Sequence, residues 1–373
     1  AREVAWLIAE HLTLYHVATR RDLDDPATIS SFADTIRAAA SAGGSPIDRL
    51  QKLYLLTVAD LSTTSPTAMT SWKARMLDDL FLATSHHLAS TARGEETADV
   101  ALQRVRADSI AAYERLSDAT DDGFIHRYLD GMPKSYLLAQ SGEAVAAQAY
   151  VVARRGDAAA FVDRVPSRHP DVLELCIVAD DRPGLLASIA AALAAHRLDI
   201  QTAHIFGRRD GERVEAVDLF SVRRAGRDDD EATAPLGDRE IAKISEDLCG
   251  LVTGAVDPRA LLRERRGGTK LRERPAPAVD TGVEIDDRAS RRFTVVDVYA
   301  KDRPGLLFTV AQALHDLKLT IARSKIATEG ARAADSFYVT EIDGSKVATP
   351  QRREEIKREV AGAIERLSRE GIG

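Results

Sequence analysis

The chain is poor in cysteine, in long apolar runs and in excess positive charge. Its 373 residues include two cysteines, Cys176 and Cys249, too few for a disulfide framework or a zinc module. No apolar run approaches the roughly 18 residues that a membrane span requires. The formal net charge of −7 argues against a general nucleic-acid binder, because such proteins are usually basic. We therefore expect a cytoplasmic protein with reduced cysteines, whose partners include neither a membrane nor a nucleic acid.

The start of the sequence shows no signal-peptide pattern, and Ala1 already lies within a helical pattern. We therefore expect this chain to be an N-terminally truncated part of a longer protein. Its length suits two or three domains. The change from helical to mixed helix and strand patterns along the sequence predicts three domains, at residues 1–150, 171–289 and 292–373.

The predicted helical domain, residues 1–150, repeats apolar residues at helical spacing. In its first helix His11 lies on the apolar stripe next to Ile8, and in a later helix Asp60 follows Leu56 at the same spacing. We therefore predict that His11 and Asp60 point inward. Burying an unpaired carboxylate costs several kcal/mol. A metal ion, an N–H donor or an arginine could each satisfy Asp60, and the spacing leaves these alternatives open.

The hexapeptide Asp-Arg-Pro-Gly-Leu-Leu occurs twice, at residues 181–186 and 302–307. The spacing of 121 residues is longer than a solenoid repeat and suits a small domain plus a linker. Each copy lies between a predicted strand and a predicted helix. Proline presets φ, glycine lets a ligand approach the backbone, and the free N–H groups of a helix N-terminus favour an anion. The alternative is a turn that needs Pro-Gly for its shape alone.

Around the first hexapeptide the predicted order is β-α-β-β-α-β, the ferredoxin-like arrangement. Its closing strand is predicted at "GVEIDD", residues 282–287, while strand signals upstream are weak until "AQAYVVARR", residues 147–155. The second copy has no clear closing strand before Gly373, so we expect an edge left open or completed by a partner. The predicted fold class is α+β, an all-α helical domain followed by two ferredoxin-like βαββαβ domains.

A βαββαβ unit with this hexapeptide after its first strand resembles the ACT domain, a module that senses small molecules, often amino acids. In that family the loop after the first strand and the start of the second strand line the ligand site, commonly between two units. The resemblance implies these ligand-binding residues: Asp181, Arg182, Gly184, Leu185, Asp302, Arg303, Gly305 and Leu306. Many relatives have Asn before the second strand, where this chain has Asp199 and Thr320. Which copy binds the ligand stays open.

Nearly the whole chain resembles bacterial bifunctional uridylyltransferase/uridylyl-removing enzymes. "WLIAEHLTLYHVATRRDLDDPATISSFA" and "LQKLYLLTVADLSTTSPTAMTSWKARMLDDLF" look like the later part of their HD-type phosphohydrolase domain, and "MPKSYLLAQ" and "DSFYVTEIDGSKV" match the family further on. The resemblance implies that Asp60 is a catalytic metal ligand and that His11 is a ligand or positions water. The first His, the His-Asp doublet and the nucleotidyltransferase domain of the family are expected before Ala1.

The resemblance also implies a function. The full-length protein would attach UMP from UTP to the PII signal protein, and its HD domain, with a divalent metal (Mg or Mn), would hydrolyse the UMP-tyrosine bond. The ACT pair would bind glutamine and set the balance between the two activities. The alternatives are a non-catalytic amino-acid-binding regulator and an HD/ACT alarmone hydrolase. Arg20 and Arg21 stay open between a phosphate or PII contact and a solvated charged face.

Overall fold

A computed structural model gives the architecture of the chain. It describes residues 2–21, 23, 26–38, 44–64, 69, 71–92, 98–116, 123–167, 172–225, 234–266, 280–287, 289–290, 292–326, 328–329 and 332–370. The chain divides into two compact units, residues 1–108 with 134–141 and residues 109–133 with 142–373. Every described helix falls short of the combined length and hydropathy that a membrane crossing requires.

The part of the chain before the first strand is helical. Its described helices are α1 (Arg2–Arg20), α2 (Pro26–Ala38), α3 (Pro46–Thr64), α4 (Ser71–Ala92), α5 (Ala98–Leu116), α6 (Phe124–Gly131), α7 (Lys134–Ala139) and α8 (Gly142–Arg155). In the first unit α1 packs against α3 and α4, and α2 packs against the same two helices. The start of α3 is fixed by Ser45 and Asp48, whose side chains accept each other's backbone N–H at 3.1 Å.

The inward face of α1 differs from the predicted stripe. Leu14 and Ala18 are fully buried, whereas Ile8 is 61% exposed. In α3 the buried side chains are spaced three and then four residues apart, so burial continues from Leu53 to Thr57. Helical spacing therefore predicts that an apolar face exists, and its exact course depends on the neighbouring helices.

The first repeat follows α8. Its elements are β1 (Ala160–Val165), β2 (Leu173–Asp180), α9 (Leu185–Ala195), β3 (Leu198–His204), β4 (Gly207–Asp210), β5 (Arg213–Arg224), α10 (Asp238–Thr253) and α11 (Pro258–Arg266). The strands form an antiparallel sheet in the order β1-β2-β5-β3, and β4 pairs with β5. The strand signal at residues 147–155 is wrong, because these residues belong to α8, which buries Val145, Ala149 and Val152 at helical spacing.

The second repeat copies this plan. Its elements are β6 (Gly282–Asp286), β7 (Thr294–Lys301), α12 (Leu306–Asp316), β8 (Leu319–Lys325), β9 (Thr328–Glu329), β10 (Arg332–Glu341) and α13 (Pro350–Glu370). The sheet order is β6-β7-β10-β8, with β9 paired to β10. The α+β fold class, a helical region followed by two ferredoxin-like units, is confirmed.

The edge strands correct two predictions. "GVEID" is β6 and pairs antiparallel with β7, so it does not close the first sheet. It also fills the edge of the second sheet that was expected to be open or completed by a partner. In the first sheet the same edge is taken by β1, which pairs with β2. In both repeats the edge strand precedes its neighbour in the chain, because a short connection favours antiparallel pairing of consecutive strands.

The two repeats share one interior. Helix α9 contacts α12, and strand β3 contacts β8. A single cluster of buried apolar side chains continues through both repeats, with Leu185, Leu193, Leu306 and Leu314 among its members. This packing holds the two copies of the hexapeptide at the interface between the repeats.

Candidate ligand site between the two repeats

The hexapeptide forms the same backbone bend in both repeats. We call residues 181–184 the first bend and residues 302–305 the second bend. Gly184 and Gly305 have φ of 83° and 85°, in the left-handed region that favours glycine. In each bend the first residue of the following helix donates its N–H to the carbonyl of the motif arginine, at 3.2 Å in the first bend and 3.1 Å in the second.

Each bend faces the strand that follows the motif helix in the other repeat. The first cavity is lined by residues 181–187 and by residues 318–321 at the start of β8. The second cavity is lined by residues 302–308 and by residues 197–200 at the start of β3. All eight predicted ligand-binding residues line one cavity or the other. The structure therefore brings them together as the resemblance implies, and their binding of a ligand stays a prediction.

The two cavities differ in size. The first has a volume of about 460 Å³, within the range of about 300–1,000 Å³ typical of small-molecule pockets. The second has about 50 Å³. The first cavity can accept a small metabolite, whereas the second is much smaller than such pockets usually are.

Two buried aspartates were missed by the sequence analysis. Asp218 on β5 lines the first cavity and Asp335 on β10 lines the second. They hold equivalent positions, since Asp218 pairs with Ile177 and Asp335 with Val298, each four residues before the motif aspartate. Their exposed fractions are 2% and 3%. A signal for them was present, because Asp-x-Phe-x-Val occurs in both repeats as "DLFSV" and "DSFYV".

The first cavity gathers carboxyl groups that are poorly solvated. Within the described residues Asp218 accepts one hydrogen bond, from the N–H of Phe206 at 3.3 Å. Burial raises the pKa of Asp218 well above its ordinary value, and the nearby Asp181 carboxylate adds to this rise. Desolvation also raises the pKa of Asp181. The residue as a whole is exposed at the cavity mouth, but neighbouring protein displaces water from around its carboxyl group. A bound cationic group would favour the charged form of both.

Desolvation also raises the pKa of Asp302 in the second bend, and a hydrogen bond from the backbone of Arg303 partly opposes this rise.

Opposite each bend stands a basic residue in an uncommon backbone conformation. Arg197 has φ of 56° and Lys318 has φ of 63°, the two positive values found for non-glycine residues in the described part of the chain. Each residue directly follows the C-cap of a helix, where the left-handed conformation is common and a cation interacts favourably with the helix end.

The helical unit brings together His11 and Asp60. Nε2 of His11 lies 3.9 Å from Oδ2 of Asp60, and Nδ1 lies 2.7 Å from the carbonyl oxygen of Ile8. A carbonyl can only accept, so Nδ1 donates and Nε2 faces the carboxylate. The side chain of Asp60 is 47% exposed, and that of His11 is 23% exposed. The prediction that Asp60 is buried is therefore wrong, because the buried face of α3 follows Thr57 instead.

This pair does not complete a metal site. Across the described ranges, no group of three or more His, Cys, Asp or Glu residues is placed to hold a metal ion. Catalytic zinc sites, for comparison, commonly use three protein ligands. The sequence does contain an adjacent His-Asp pair, His315 and Asp316, but it ends α12, and His315 lines the first cavity.

Comparison with protein families agrees with the fold. Residues 173–235 match the ACT domain, and residues 289–365 match the ACR family N-terminal ACT domain. The chain contains two ACT domains. The first match begins at β2 and the second begins just before β7, so each includes a bend of the hexapeptide, the helix after it and the strand that follows that helix.

The ACT pair and the helical region together resemble one kind of enzyme. The chain is 32% identical over 98% of its length to the bifunctional uridylyltransferase/uridylyl-removing enzyme of Phenylobacterium zucineum (strain HLK1). The enzymes of the same name from Gluconobacter oxydans (strain 621H) and Azospirillum brasilense are 33% and 32% identical over 94% and 97% of the chain. The chain spans 35% to 37% of the length of these relatives. The predicted resemblance is confirmed.

Proposed function

We propose that the ACT pair is the glutamine sensor of an enzyme that attaches UMP to the PII signal protein and removes it. The observation that carries the proposal is the first cavity, about 460 Å³ in volume, formed by the motif bend of the first ACT domain and the start of β8 in the second. A ligand seated there would contact both domains. Its binding would change how they pack, which is how a sensor couples a site to distant activities.

The chemistry of the first cavity suits an α-amino acid. Helix α9 begins at Leu185 in the cavity wall, and the first N–H groups of a helix attract an anion such as a carboxylate. Asp181 and Asp218 offer carboxyl groups to an ammonium group. Lys318 and Thr320 lie across the cavity and could hydrogen-bond a polar side chain. The choice of glutamine among amino acids rests on the resemblance to uridylyl-removing enzymes.

The enzymatic part of the proposal concerns the whole protein. Relatives named as bifunctional uridylyltransferase/uridylyl-removing enzymes are about three times as long as this chain, which spans 35% to 37% of them. His11 and Asp60, 3.9 Å apart, would contribute to the site that hydrolyses the UMP-tyrosine bond. The residues described here do not complete a divalent-metal site, so we assign the metal no step.

A second proposal is that the chain acts as a non-catalytic amino-acid-binding regulator, since the first cavity could bind an amino acid without any catalytic site. The full-length protein separates these proposals when it is given uridylylated PII. Release of UMP that depends on Asp60 supports the enzyme, and no release supports the regulator. Guanosine tetraphosphate serves as the control substrate, because its hydrolysis would indicate an alarmone hydrolase instead.

The sensor is tested by thermal unfolding of this chain with L-glutamine. Ligand at about 100 times its Kd stabilises a folded protein by about 2.7 kcal/mol, so we expect a clear rise in melting temperature. D-Glutamine and L-glutamate are the controls for handedness and for the side-chain amide. No shift at millimolar L-glutamine, confirmed by calorimetry, would contradict the proposal.

Two glycine variants test whether the glutamine-induced rise in melting temperature depends on the first cavity. Gly184→Val and Gly211→Val both place a side chain at positive φ, so each should cost about 1–2 kcal/mol of stability. A Cβ at Gly184 would lie 3.3 Å from the His315 ring in the first cavity, whereas one at Gly211 would meet nothing within 4 Å. We expect the glutamine-induced shift to disappear in Gly184→Val alone. Loss in both variants would indicate a general effect of strain.

A further inference from the structure

The linings of the two cavities correspond residue by residue. Positions 181–200 of the first repeat match positions 302–321 of the second, with the motif aspartates in register. Each cavity therefore has the same parts: a motif bend, the first turn of a helix, and a strand start from the other repeat. Differences in the side chains at matching positions can then be read as causes of the difference in volume.

One difference takes space from the second cavity, although Ala194 and Ala225 there stand where the first cavity has the larger His315 and Ile342. The third residue of the helix is Ala187 in the first repeat and Phe308 in the second, and each lines its own cavity. Phe308 is 4% exposed, so its ring is packed inside the wall. An aromatic ring fills space that a methyl group leaves empty. The cavity that contains alanine is about 460 Å³, and the one that contains phenylalanine is about 50 Å³.

The bends themselves are covered to different degrees. In the first bend Pro183 is exposed and Gly184 is half-buried, whereas in the second bend Pro304 is half-buried and Gly305 is buried. Since the backbone of the two bends is the same, the extra cover comes from the surrounding side chains. A ligand can reach the helix N-terminus at the first bend and is kept from it at the second.

The strand starts also differ in charge. The residue that faces the first bend is Thr320, whereas the residue that faces the second bend is Asp199. A hydroxyl can donate a hydrogen bond to a carboxylate or amide oxygen, but a carboxylate cannot. The second cavity thus adds a negative group beside Asp302 and Asp335, which disfavours an anionic group of the ligand.

We infer that the chain binds its amino acid at the first bend alone, and that Ala187 and Phe308 contribute to this by leaving space in the first cavity and taking it from the second. The second bend then serves as a rigid support whose turn is needed for shape. The inference rests on the proposed amino-acid function, and it adds which repeat holds the ligand and which residues select it.

Reciprocal substitutions test the inference by calorimetry of the full chain with L-glutamine. Wild type should bind one glutamine per chain. Ala187→Phe should weaken binding by at least tenfold, and Ala187→Val is the smaller version if the larger one unfolds the protein. Phe308→Ala, which enlarges the second cavity, should leave the affinity of the first site within threefold.

The outcomes separate the two proposals. Two equivalent glutamines per wild-type chain, or binding that survives Ala187→Phe in a folded protein and is lost in Phe308→Ala, would overturn the inference while leaving the sensor intact. Absence of glutamine binding in wild type would overturn both. Circular dichroism of each variant establishes that a loss of binding does not come from a loss of fold.

Discussion

The two ACT domains share a backbone and differ in what they enclose. Both have a Pro-Gly bend with glycine near φ of 84°, a buried aspartate at the same register position, and a cation at positive φ opposite the partner's bend. One cavity is nevertheless about nine times larger than the other. The motif therefore fixes the shape of the bend, whereas the side chains around it decide whether a ligand can enter.

The largest effect should be the same in both domains. Phe220 and Phe337 hold equivalent positions on β5 and β10, and both are fully buried in the shared core. Phe220→Ala and Phe337→Ala should each lower the free energy of unfolding by about 3–5 kcal/mol. Denaturant unfolding measures the loss. A loss below about 1 kcal/mol in one variant would show that the cores are as different as the cavities.

The next expected effect is the pH dependence of stability that the buried Asp218 of the first domain causes. Burial raises the pKa of Asp218, so the folded chain holds this proton more tightly than the unfolded chain, where the pKa is about 3.9. The stability from this carboxyl is present below the unfolded pKa and is lost as pH rises through the folded pKa. Asp218→Asn should therefore raise the free energy of unfolding at pH 8, where the charged form of the buried carboxyl is disfavoured.

Unfolding measured between pH 4 and pH 8 checks this prediction. The advantage of Asp218→Asn over wild type should grow with pH, and it should vanish near pH 4. Glu212→Gln is the control, because Glu212 is exposed in the turn between β4 and β5, and its effect should stay below about 0.5 kcal/mol. A pH-independent difference for Asp218→Asn would mean that the buried carboxyl is already compensated.

The smallest expected effect distinguishes Lys318 at the first cavity from Arg197 at the second. Lys318→Gly and Arg197→Gly both relieve a positive φ at an exposed residue, so each should stabilise the chain by about 0.5–1 kcal/mol. Lys318 lines the first cavity, so its loss should weaken glutamine binding about fivefold, equivalent to about 1 kcal/mol for a hydrogen bond to the side-chain amide. Arg197→Gly should leave glutamine binding unchanged. Equal losses in both variants would contradict the distinction between the cavities.

Much of this fold was predictable from the sequence, because the repeated hexapeptide and the alternation of apolar patterns are local signals. The edge strands were not. "GVEID" alternates apolar and polar residues, a pattern that suits an edge of either sheet, and its position after α11 wrongly suggested the first. The strand signal at residues 147–155 failed for a related reason, since its apolar residues also match the helical spacing of α8.

The candidate site was predictable only in part. The motif residues could be found, and the resemblance implied that they face another repeat. The difference between Ala187 and Phe308 is visible in the sequence, but its meaning depends on which helix face lines the cavity. Asp60 shows the opposite case, where a helical pattern predicted burial and the neighbouring helices left its side chain 47% exposed.

Hydrogen exchange of the full chain with and without L-glutamine tests the central claim most directly. We predict slower exchange of backbone amides at residues 184–187 and 318–321, which line the first cavity, and no change at residues 305–308, which line the second cavity. Protection confined to residues 305–308 and 197–200, which line the second cavity, or equal protection at both bends, would contradict this assignment.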